Sequence, residues 1–200
     1  MMLPDPIQNA IEALSDLPGI GKRSAERLVF TLLKNETGLS KKIGENLLDL
    51  KEQIHRCCVC GNYCESTQTQ CPICQNHHRE SHIICVVESP LDVIAIEKTH
   101  EYRGQYHVLH GVLSPMNRVH IEDLNIKSLF ERLNDDITEI ILATSGTTES
   151  EATALYLHEQ LSQKFAGNVS RLSRGIPSGG DLDFLDTGTL TRALLDRRSV

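Results

Sequence analysis

Apolar residues recur with helical spacing over the first quarter of the chain. In the segments 7–14 and 24–33 they return every three or four positions, and 41–54 continues the same pattern. We predict three amphipathic helices here, because this period places the apolar side chains on one face of each helix. Each helix could then bury that face against a neighbour.

After residue 80 the pattern changes to short β-branched runs that alternate with helical segments. IICVVE (83–88) and EIILAT (139–144) have the composition of buried strands, and a third strand is predicted at 106–109. The helices predicted in this half of the chain lie at 91–98, 128–133, 149–164 and 190–197. Strands that alternate with helices favour a parallel, layered α/β domain.

The first two predicted helices are joined by LPGIGK (17–22). Its two glycines permit a tight turn, and the amides that open the next helix could bind a phosphate at the positive end of the helix dipole. The segment resembles a helix-hairpin-helix, a module that binds the DNA backbone without reading sequence. The predicted DNA-contact residues are Gly19, Gly21, Lys22, Arg23 and Arg27.

Two other interpretations of this hairpin stay open. Pro-Gly is a common turn dipeptide, so the segment could be an ordinary connection between packed helices. The hairpin could also bind a protein in place of DNA.

The charge of the chain limits how it could bind nucleic acid. The formal net charge is −7, and acids and bases are equal in number from Met1 to Arg56. Binding therefore requires a local site and not a generally basic surface. With no Trp, four Phe and four Tyr, little base stacking is expected. We expect sequence-independent, salt-sensitive phosphate binding that is weak per subunit and strengthened when several copies face one DNA.

Six of the seven cysteines lie between residues 57 and 74. Two Cys-x-x-Cys pairs in this segment have the spacing at which thiolates supply the corners of a tetrahedral zinc site. The predicted ligands of a structural zinc ion are Cys57, Cys60, Cys71 and Cys74. Other ligand sets stay open, because further thiols and imidazoles lie nearby in sequence: Cys58, Cys64, His55, His77 and His78. The alternative to a metal site is a set of reduced, half-buried cysteines, and Cys85 is predicted to pack in a core.

The sequence contains no apolar run long enough to span a bilayer. Its start, MMLPDPIQNA, lacks the basic and apolar regions of a signal peptide. We therefore expect a cytosolic protein, in which the cysteines stay reduced and a metal site is favoured over a disulfide framework.

Glu88 ends the first predicted strand of the α/β segment, where parallel sheets gather ligands and catalytic groups. The segments ICVVESPLDVIAIE (84–97) and ILATSGTTESEATA (141–154) resemble a Toprim domain, which topoisomerases, primases and some nucleases share. In catalytic members of that family, such a glutamate and an Asp-x-Asp pair on a later strand hold magnesium. This chain has Ser145 and Thr147 in place of the two aspartates, and neutral hydroxyls are weak magnesium ligands.

The Toprim resemblance leaves four acidic residues near the predicted strand ends: Glu88, Asp92, Glu149 and Glu151. We interpret them as a degenerate acidic surface that docks a partner or stabilises helix starts through the dipole. We accordingly expect no catalytic residue and no magnesium. The alternatives are weak binding of one ion and, for the whole protein, a magnesium-dependent Toprim nuclease or another phosphotransfer enzyme.

The order of these segments resembles the RecR family of bacterial recombination mediators over nearly the whole chain. HGVLSP (110–115) and GIPSGGDLDFLDTGTL (175–190) belong to the likeness. The resemblance implies a multidomain α/β fold. Its implied parts are a helix-hairpin-helix domain (1–54), a four-cysteine zinc finger (55–78), a Toprim domain with a parallel sheet (79–174) and a C-terminal oligomerisation segment with a short helix (175–200).

The same resemblance implies a function and partners. It implies a non-enzymatic repair protein that acts with RecO and RecF to load RecA onto single-stranded DNA coated with single-strand-binding protein. It also implies a ring-shaped homo-oligomer, for which we expect a tetramer, that clamps single- or double-stranded DNA. The implied location is the cytoplasm, on the nucleoid, without membrane association.

Two segments depart from the family pattern. RecR proteins usually have Asn-Pro where this chain has Ser145-Gly146. They also have a Leu-Asp-Gly-Ile-Gly-like run where this chain has MNRVH (116–120), which removes two glycines from a loop and adds a base. Neither departure lies in the hairpin or in the cysteine segment.

Overall fold

The computed structural model describes residues 3–173, 175–176, 179 and 181–197. The chain divides into two compact units, Met1–His55 and Arg56–Val200. The predicted fold class is confirmed: a multidomain α/β protein with N-terminal helices, a four-cysteine segment, a parallel sheet and a short C-terminal helix. The division between the units lies one residue from the domain boundary predicted after residue 54, and the boundaries predicted inside the second unit stay predictions.

Three helices form the first unit: α1 (Asp5–Ser15), α2 (Lys22–Lys34) and α3 (Leu39–Gln53). α1 and α2 pack through Ile11, Ala25 and Val29, and Ala25 is fully buried. A side chain this small lets the two helices approach closely. α3 buries none of its residues, so its apolar side chains are left for another surface.

The cysteine segment begins at the division between the two units and lies mostly in the second. Its regular elements are the strands β1 (Ile54–Arg56) and β2 (Tyr63–Glu65), which form a two-stranded sheet, and the short helix α4 (Pro72–Gln75). This segment has a small core of its own, made of buried cysteines. Ile73 packs against that core and also against the core of the following α/β part, so the two are continuous.

The α/β part has a four-stranded sheet and helices on the connections. Its strands are β3 (Glu80–Val87), β4 (Gly104–Val108), β5 (Glu139–Ala143) and β6 (Asn168–Arg171). Its helices are α5 (Pro90–Glu97), α6 (Lys127–Glu131), α7 (Thr148–Lys164) and α8 (Thr187–Leu195). The strand order is β4-β3-β5-β6, and every pairing is parallel.

Side chains alternate between two cores along the central strand β3. Ile84 and Val86 pack in one core, with Leu157 and Leu161 of α7. Cys85 and Val87 pack in the other, together with Val93 of α5. Apolar cores on both faces explain why the strands read as continuous apolar runs.

The register of the sheet positions the polar residues that follow its strands. Val87 at the end of β3 pairs with Val108 of β4 and with Ala143 of β5. The carboxyl ends of three strands therefore meet at one edge, and Glu88 follows β3 there. This edge carries the Toprim-like residues.

The structure corrects some predicted element bounds. The last helix begins at Thr187, three residues before the predicted start at residue 190. The third predicted helix ends at Gln53, because Ile54 belongs to β1. Strand β6 and helix α4 were not predicted; each has four residues, too few for a periodic pattern.

Candidate nucleic-acid interface and metal centre

The hairpin between α1 and α2 depends on the first of its two glycines, Gly19. Gly19 has a φ of 85°, a left-handed conformation that strains other residues. The Ile20 amide donates to the Leu17 carbonyl (3.1 Å), which closes the turn. Gly21 then begins α2 as its N-cap, and no described side chain caps this helix.

The start of α2 is open to a ligand. A methyl group added at Gly19 or Gly21 would meet no atom within 4 Å, so space for a phosphate lies over the turn. The first amides of a helix have no acceptor within the helix and carry its positive end. Lys22, Arg23 and Arg27 are exposed beside them. Contact of these residues with DNA stays a prediction. Such contact requires open space over the turn and exposed bases beside it, and both are present.

The four predicted ligands of the metal site come together in the second unit. One sulfur atom each from Cys57, Cys60, Cys71 and Cys74 lies within 4.8 Å of every other. Four sulfurs around a zinc ion are about 3.8 Å apart when the Zn–S bonds are about 2.3 Å. The sulfurs of Cys60 and Cys71 are 3.5 Å apart. Within the described part of the chain, no other group of His, Cys, Asp or Glu has such an arrangement.

The thiols of this cluster shift one another's pKa values because their sulfurs are close together. Hydrogen bonds from Cys60 and Cys74 lower the pKa of Cys71 to about 2. The hydrogen bond with Cys71 raises the pKa of Cys60, and hydrogen bonds with Cys60 and then Cys71 raise the pKa of Cys74. Ionisation of all four groups therefore requires a positive charge between them. The cluster can hold a metal ion.

Backbone amides stabilise two of the sulfurs further. The Cys71 amide donates to the Cys57 sulfur (3.3 Å), and the Asn62 amide donates to the Cys60 sulfur (3.4 Å). Such bonds hold the two sulfurs in position within the cluster. The thiols left open as alternatives are placed otherwise: Cys58 is exposed, and Cys64 donates to the Gln68 carbonyl (3.6 Å).

The cysteine segment is fixed to the α/β part by polar contacts at the end of β4. The Val108 amide donates to the Cys60 carbonyl (2.7 Å), and His110 Nε2 lies 2.6 Å from the Gly61 carbonyl oxygen. Gly61 has a φ of 76°, and a methyl group there would lie 2.6 Å from Asn125 Nδ2. Glycine is therefore required at this contact both for its conformation and for space.

At the carboxyl edge of the sheet, Glu88 binds Ser145 directly. The Ser145 amide donates to Glu88 Oε1 (2.6 Å), and its hydroxyl donates to Oε2 (3.1 Å). Thr147, at the second substituted position, caps α7 by accepting from the Ser150 amide (3.2 Å). Both hydroxyls therefore have structural roles where the Toprim pattern has metal-binding aspartates.

The remaining acidic residues of this surface stabilise neighbouring elements. Asp92 accepts from the Ser89 amide (2.7 Å) in the capping box of α5. Glu149 and Glu151 lie in the first turn of α7, and Glu151 forms an ion pair with Arg171 (3.1 Å). In the described ranges, no three carboxylates of this edge are close enough to share a metal ion.

Sequence reasoning missed the cationic partners of Glu151. Arg171 ends β6, and Arg192 of α8 lies 3.5 Å from Glu151. These arginines are 20 and 41 residues away from Glu151 along the chain, so no local pattern identifies them.

Comparison with protein-family models assigns most of the chain. The model described as RecR, helix-hairpin-helix matches residues 7–50, and the model of the Toprim domain matches 82–173. The model described as RecR, C-terminal matches residues 175–198.

Curated relatives are similar over their full length. The recombination protein RecR of Bifidobacterium adolescentis is 46% identical over 195 residues, 97% of this chain and 96% of that protein. Those of Saccharopolyspora erythraea and Enterococcus faecalis are 46% and 45% identical over all of both chains. The chain belongs to the RecR family. The hairpin, the four-cysteine centre and the acidic edge are thus features of a RecR-family recombination protein with helix-hairpin-helix and Toprim domains.

The RecR-family chain shows no membrane-spanning element where it is described. None of its helices in that part combines the length and the apolarity that a bilayer crossing requires.

Proposed function

We propose that this RecR-family chain is a non-enzymatic DNA-binding adaptor of recombinational repair. It binds single- and double-stranded DNA through phosphates, without reading sequence, and acts with RecO and RecF to promote loading of RecA on single-stranded DNA. Its place of action is then the nucleoid, in the cytoplasm. The acidic edge at Glu88, Asp92, Glu149 and Glu151 is proposed to dock a protein partner.

The observation that carries DNA binding is the open start of α2. Gly19 and Gly21 leave space over amides that carry a partial positive charge, and three exposed bases lie around them. The described residues form no ion pair with Lys22, Arg23 or Arg27, so these charges are available to phosphate. Such binding is indifferent to sequence because it uses the backbone of the nucleic acid.

Charge reversal at the hairpin tests this proposal. In Lys22→Glu with Arg23→Glu, we expect loss of DNA binding by at least ~10-fold near physiological salt, because two phosphate-binding charges become repulsive. Fluorescence anisotropy with labelled oligonucleotides measures it, and circular dichroism checks that the helices persist. The wild-type affinity should fall as salt rises.

The matched control reverses two exposed bases of the same unit outside the hairpin, Lys34→Glu with Lys51→Glu. It changes the net charge equally, so it separates a local site from general repulsion. Equal loss in both variants, or undiminished binding in the hairpin variant, would refute the hairpin assignment. Retained binding of a protein partner together with absent DNA binding in the wild type would favour the protein-binding alternative.

The proposal of no enzymatic activity depends on the residues that follow β5. Ser145 and Thr147 supply neutral hydroxyls, one bound to Glu88 and one capping α7, where magnesium requires carboxylates. The alternative, a Toprim nuclease, predicts cleavage of labelled DNA with magnesium or manganese. Cleavage that Glu88→Gln abolishes would establish that alternative.

The metal proposed for the four-cysteine centre is zinc, in a structural role. The donor set is four sulfurs in an arrangement compact enough for a tetrahedron, which zinc prefers. With all four positions occupied by protein ligands, no position is left for a reacting water. The small core of this segment could then depend on the ion for its folding energy.

Assembly into a homo-oligomer, with a tetrameric ring as the expected form, is supported by apolar surface in the first unit. Leu47, Leu48 and Leu50 of α3 are 62%, 74% and 57% exposed. An apolar groove of about 400 Å³ lies between α1 and α2, lined by Ile7, Leu14 and Leu33 among others. An exposed apolar surface of this kind marks a protein interface. We propose that a second copy of the chain covers it.

A further inference from the structure

Arg132, directly after α6, is a half-buried arginine bound to β4. Its Nη1 donates to the Tyr106 carbonyl (2.6 Å) and lies 3.3 Å from His107 Nδ1. Its Nη2 donates to Gln105 Oε1 (3.0 Å). The guanidinium is thus held in one position by three neighbouring residues of a single strand.

All of these acceptors are neutral. His107 is fully buried, and its Nε2 lies 2.6 Å from the Asn125 carbonyl oxygen. A carbonyl oxygen only accepts, so Nε2 carries the proton and Nδ1 keeps the lone pair that accepts from Arg132. The hydrogen bonds of Arg132 therefore orient its charge without neutralising it.

Arg132 also has no carboxylate partner in the part of the chain that the structure describes. Among the described residues, no Asp or Glu lies within ion-pair distance of its guanidinium. Arg79, the other arginine bound to carbonyls next to β4, differs in this respect because it pairs with Glu97. A half-buried cation without a counterion is costly, so an anion close to Arg132 is expected.

Next to this strand lies the four-cysteine centre, which is a source of negative charge when its thiols are ionised. Cys60 accepts from the amide of Val108, two residues after Tyr106, and Ile73 packs against both the cysteine cluster and the core that contains Tyr106. Burial lowers the pKa of Arg132, and the nearby thiol groups of Cys74, Cys60 and Cys57 act in the opposite direction.

We infer that Arg132 is the countercation of the metal-loaded four-cysteine centre. This inference rests on the proposed metal site. Four thiolates and one divalent ion carry a net charge of about −2, which the ligands themselves cannot offset. Arg132 supplies a fixed positive charge from outside the ligand sphere. In other metalloproteins, residues around the metal ligands change the affinity for the metal in this way. A fixed positive charge next to a centre of net negative charge lowers the free energy of the loaded state, so loss of the charge of Arg132 weakens metal binding.

Two substitutions separate charge from packing. Arg132→Gln keeps a hydrogen-bond donor and removes the charge, whereas Arg132→Lys keeps the charge and loses the planar fork. Competition of the zinc-loaded protein with a chromophoric chelator measures zinc affinity. We expect zinc to bind about 10-fold more weakly in Arg132→Gln and to stay within about threefold of wild type in Arg132→Lys. Wild-type affinity in Arg132→Gln, or equal loss in both variants, would overturn the inference.

The matched control is Arg79→Gln, which also removes a half-buried arginine that donates to the Tyr102 and Gly104 carbonyls (3.3 and 3.2 Å). We expect it to lower thermal stability and leave zinc affinity unchanged. A loss of zinc as large as that in Arg132→Gln would assign the effect to general destabilisation and refute a specific role of Arg132.

The same experiment distinguishes failure of the proposed zinc site from failure of the proposed role of Arg132. Absence of zinc from the wild-type protein would refute the proposed metal, whereas tight zinc in wild type and in Arg132→Gln would refute only the role of Arg132. Should Arg132→Gln not fold, Arg132→Lys decides: an affinity within about threefold of wild type supports the inference, and a loss of about 10-fold or more contradicts it, because the charge is retained.

Discussion

His107 is a fully buried imidazole whose only described hydrogen-bond contacts are the Asn125 carbonyl and Arg132. Burial lowers its pKa to about 4, from an ordinary value of 6.5. The unfolded chain therefore takes up a proton below pH 6.5 that the folded protein does not take up until pH 4. The stabilisation that comes from the neutral, buried form of His107 is complete above pH 6.5 and is lost as the pH falls towards 4.

We expect His107→Gln to reduce the pH dependence of stability. Between about pH 7.5 and about pH 5, the wild-type free energy of unfolding should fall by about 2 kcal/mol more than that of the variant. Urea unfolding at the two pH values measures this difference, and acid effects on the four-cysteine centre cancel because both proteins contain it. Equal pH dependence in the two proteins would contradict the buried neutral imidazole.

The contacts of single residues were predictable where both partners lie close together in the sequence. The four cysteines lie within 18 consecutive residues as two Cys-x-x-Cys pairs, so the sequence alone predicts the cluster. Glu88 and Ser145 are 57 residues apart, and only the register of β3 and β5 brings them together. The substitution at residue 145 is visible in the sequence, but the hydrogen bond that it makes is not.

At the scale of elements, the cysteine segment should depend on its metal. In Cys57→Ser with Cys60→Ser, we expect zinc to fall from about one per chain to none, since two of four ligands are lost. Elemental analysis of the purified protein measures this, and near-ultraviolet circular dichroism reports the loss of local structure. Because the buried residues of both sheet cores lie outside the segment and, of its described side chains, only Ile73 packs against them, the α/β elements should persist.

The control for this experiment is Cys58→Ser, which removes an exposed thiol from the same segment. It should keep its zinc. Retained zinc in the double variant would show that other side chains hold the ion, and loss of zinc in Cys58→Ser would require a different ligand set.

Element types were predicted more accurately than their ends. Long apolar runs such as those of β3 and β5 identified buried strands, and both lie in the observed sheet. α8 begins earlier than predicted because Asp186 accepts from the Thr189 amide (2.9 Å) as an N-cap. The Asp-Thr-Gly-Thr sequence contains that signal. For β6 there was none, since its four residues gain their conformation from pairing with β5.

At the scale of the whole molecule, weak binding per hairpin requires more than one hairpin on a DNA. The sequence predicts this from an electrically balanced first unit on an acidic chain. The structure adds a physical reason for assembly, because α3 buries no residue and exposes several leucines. The number of subunits depends on how the exposed faces of separate copies fit together. A sequence pattern predicts the apolar face of one helix, but it does not predict that geometry.

Solution mass with and without DNA, measured by sedimentation velocity, shows directly whether copies of this chain assemble to hold DNA. One chain has a mass of 22.3 kDa, and we expect a species of several chains that persists and gains mass when DNA is added. The expected tetramer has a mass of about 89 kDa, four times that of one chain. Leu47→Glu with Leu48→Glu should dissociate it and weaken DNA binding. A monomer at micromolar concentration, with and without DNA and with full DNA affinity, would contradict assembly on DNA.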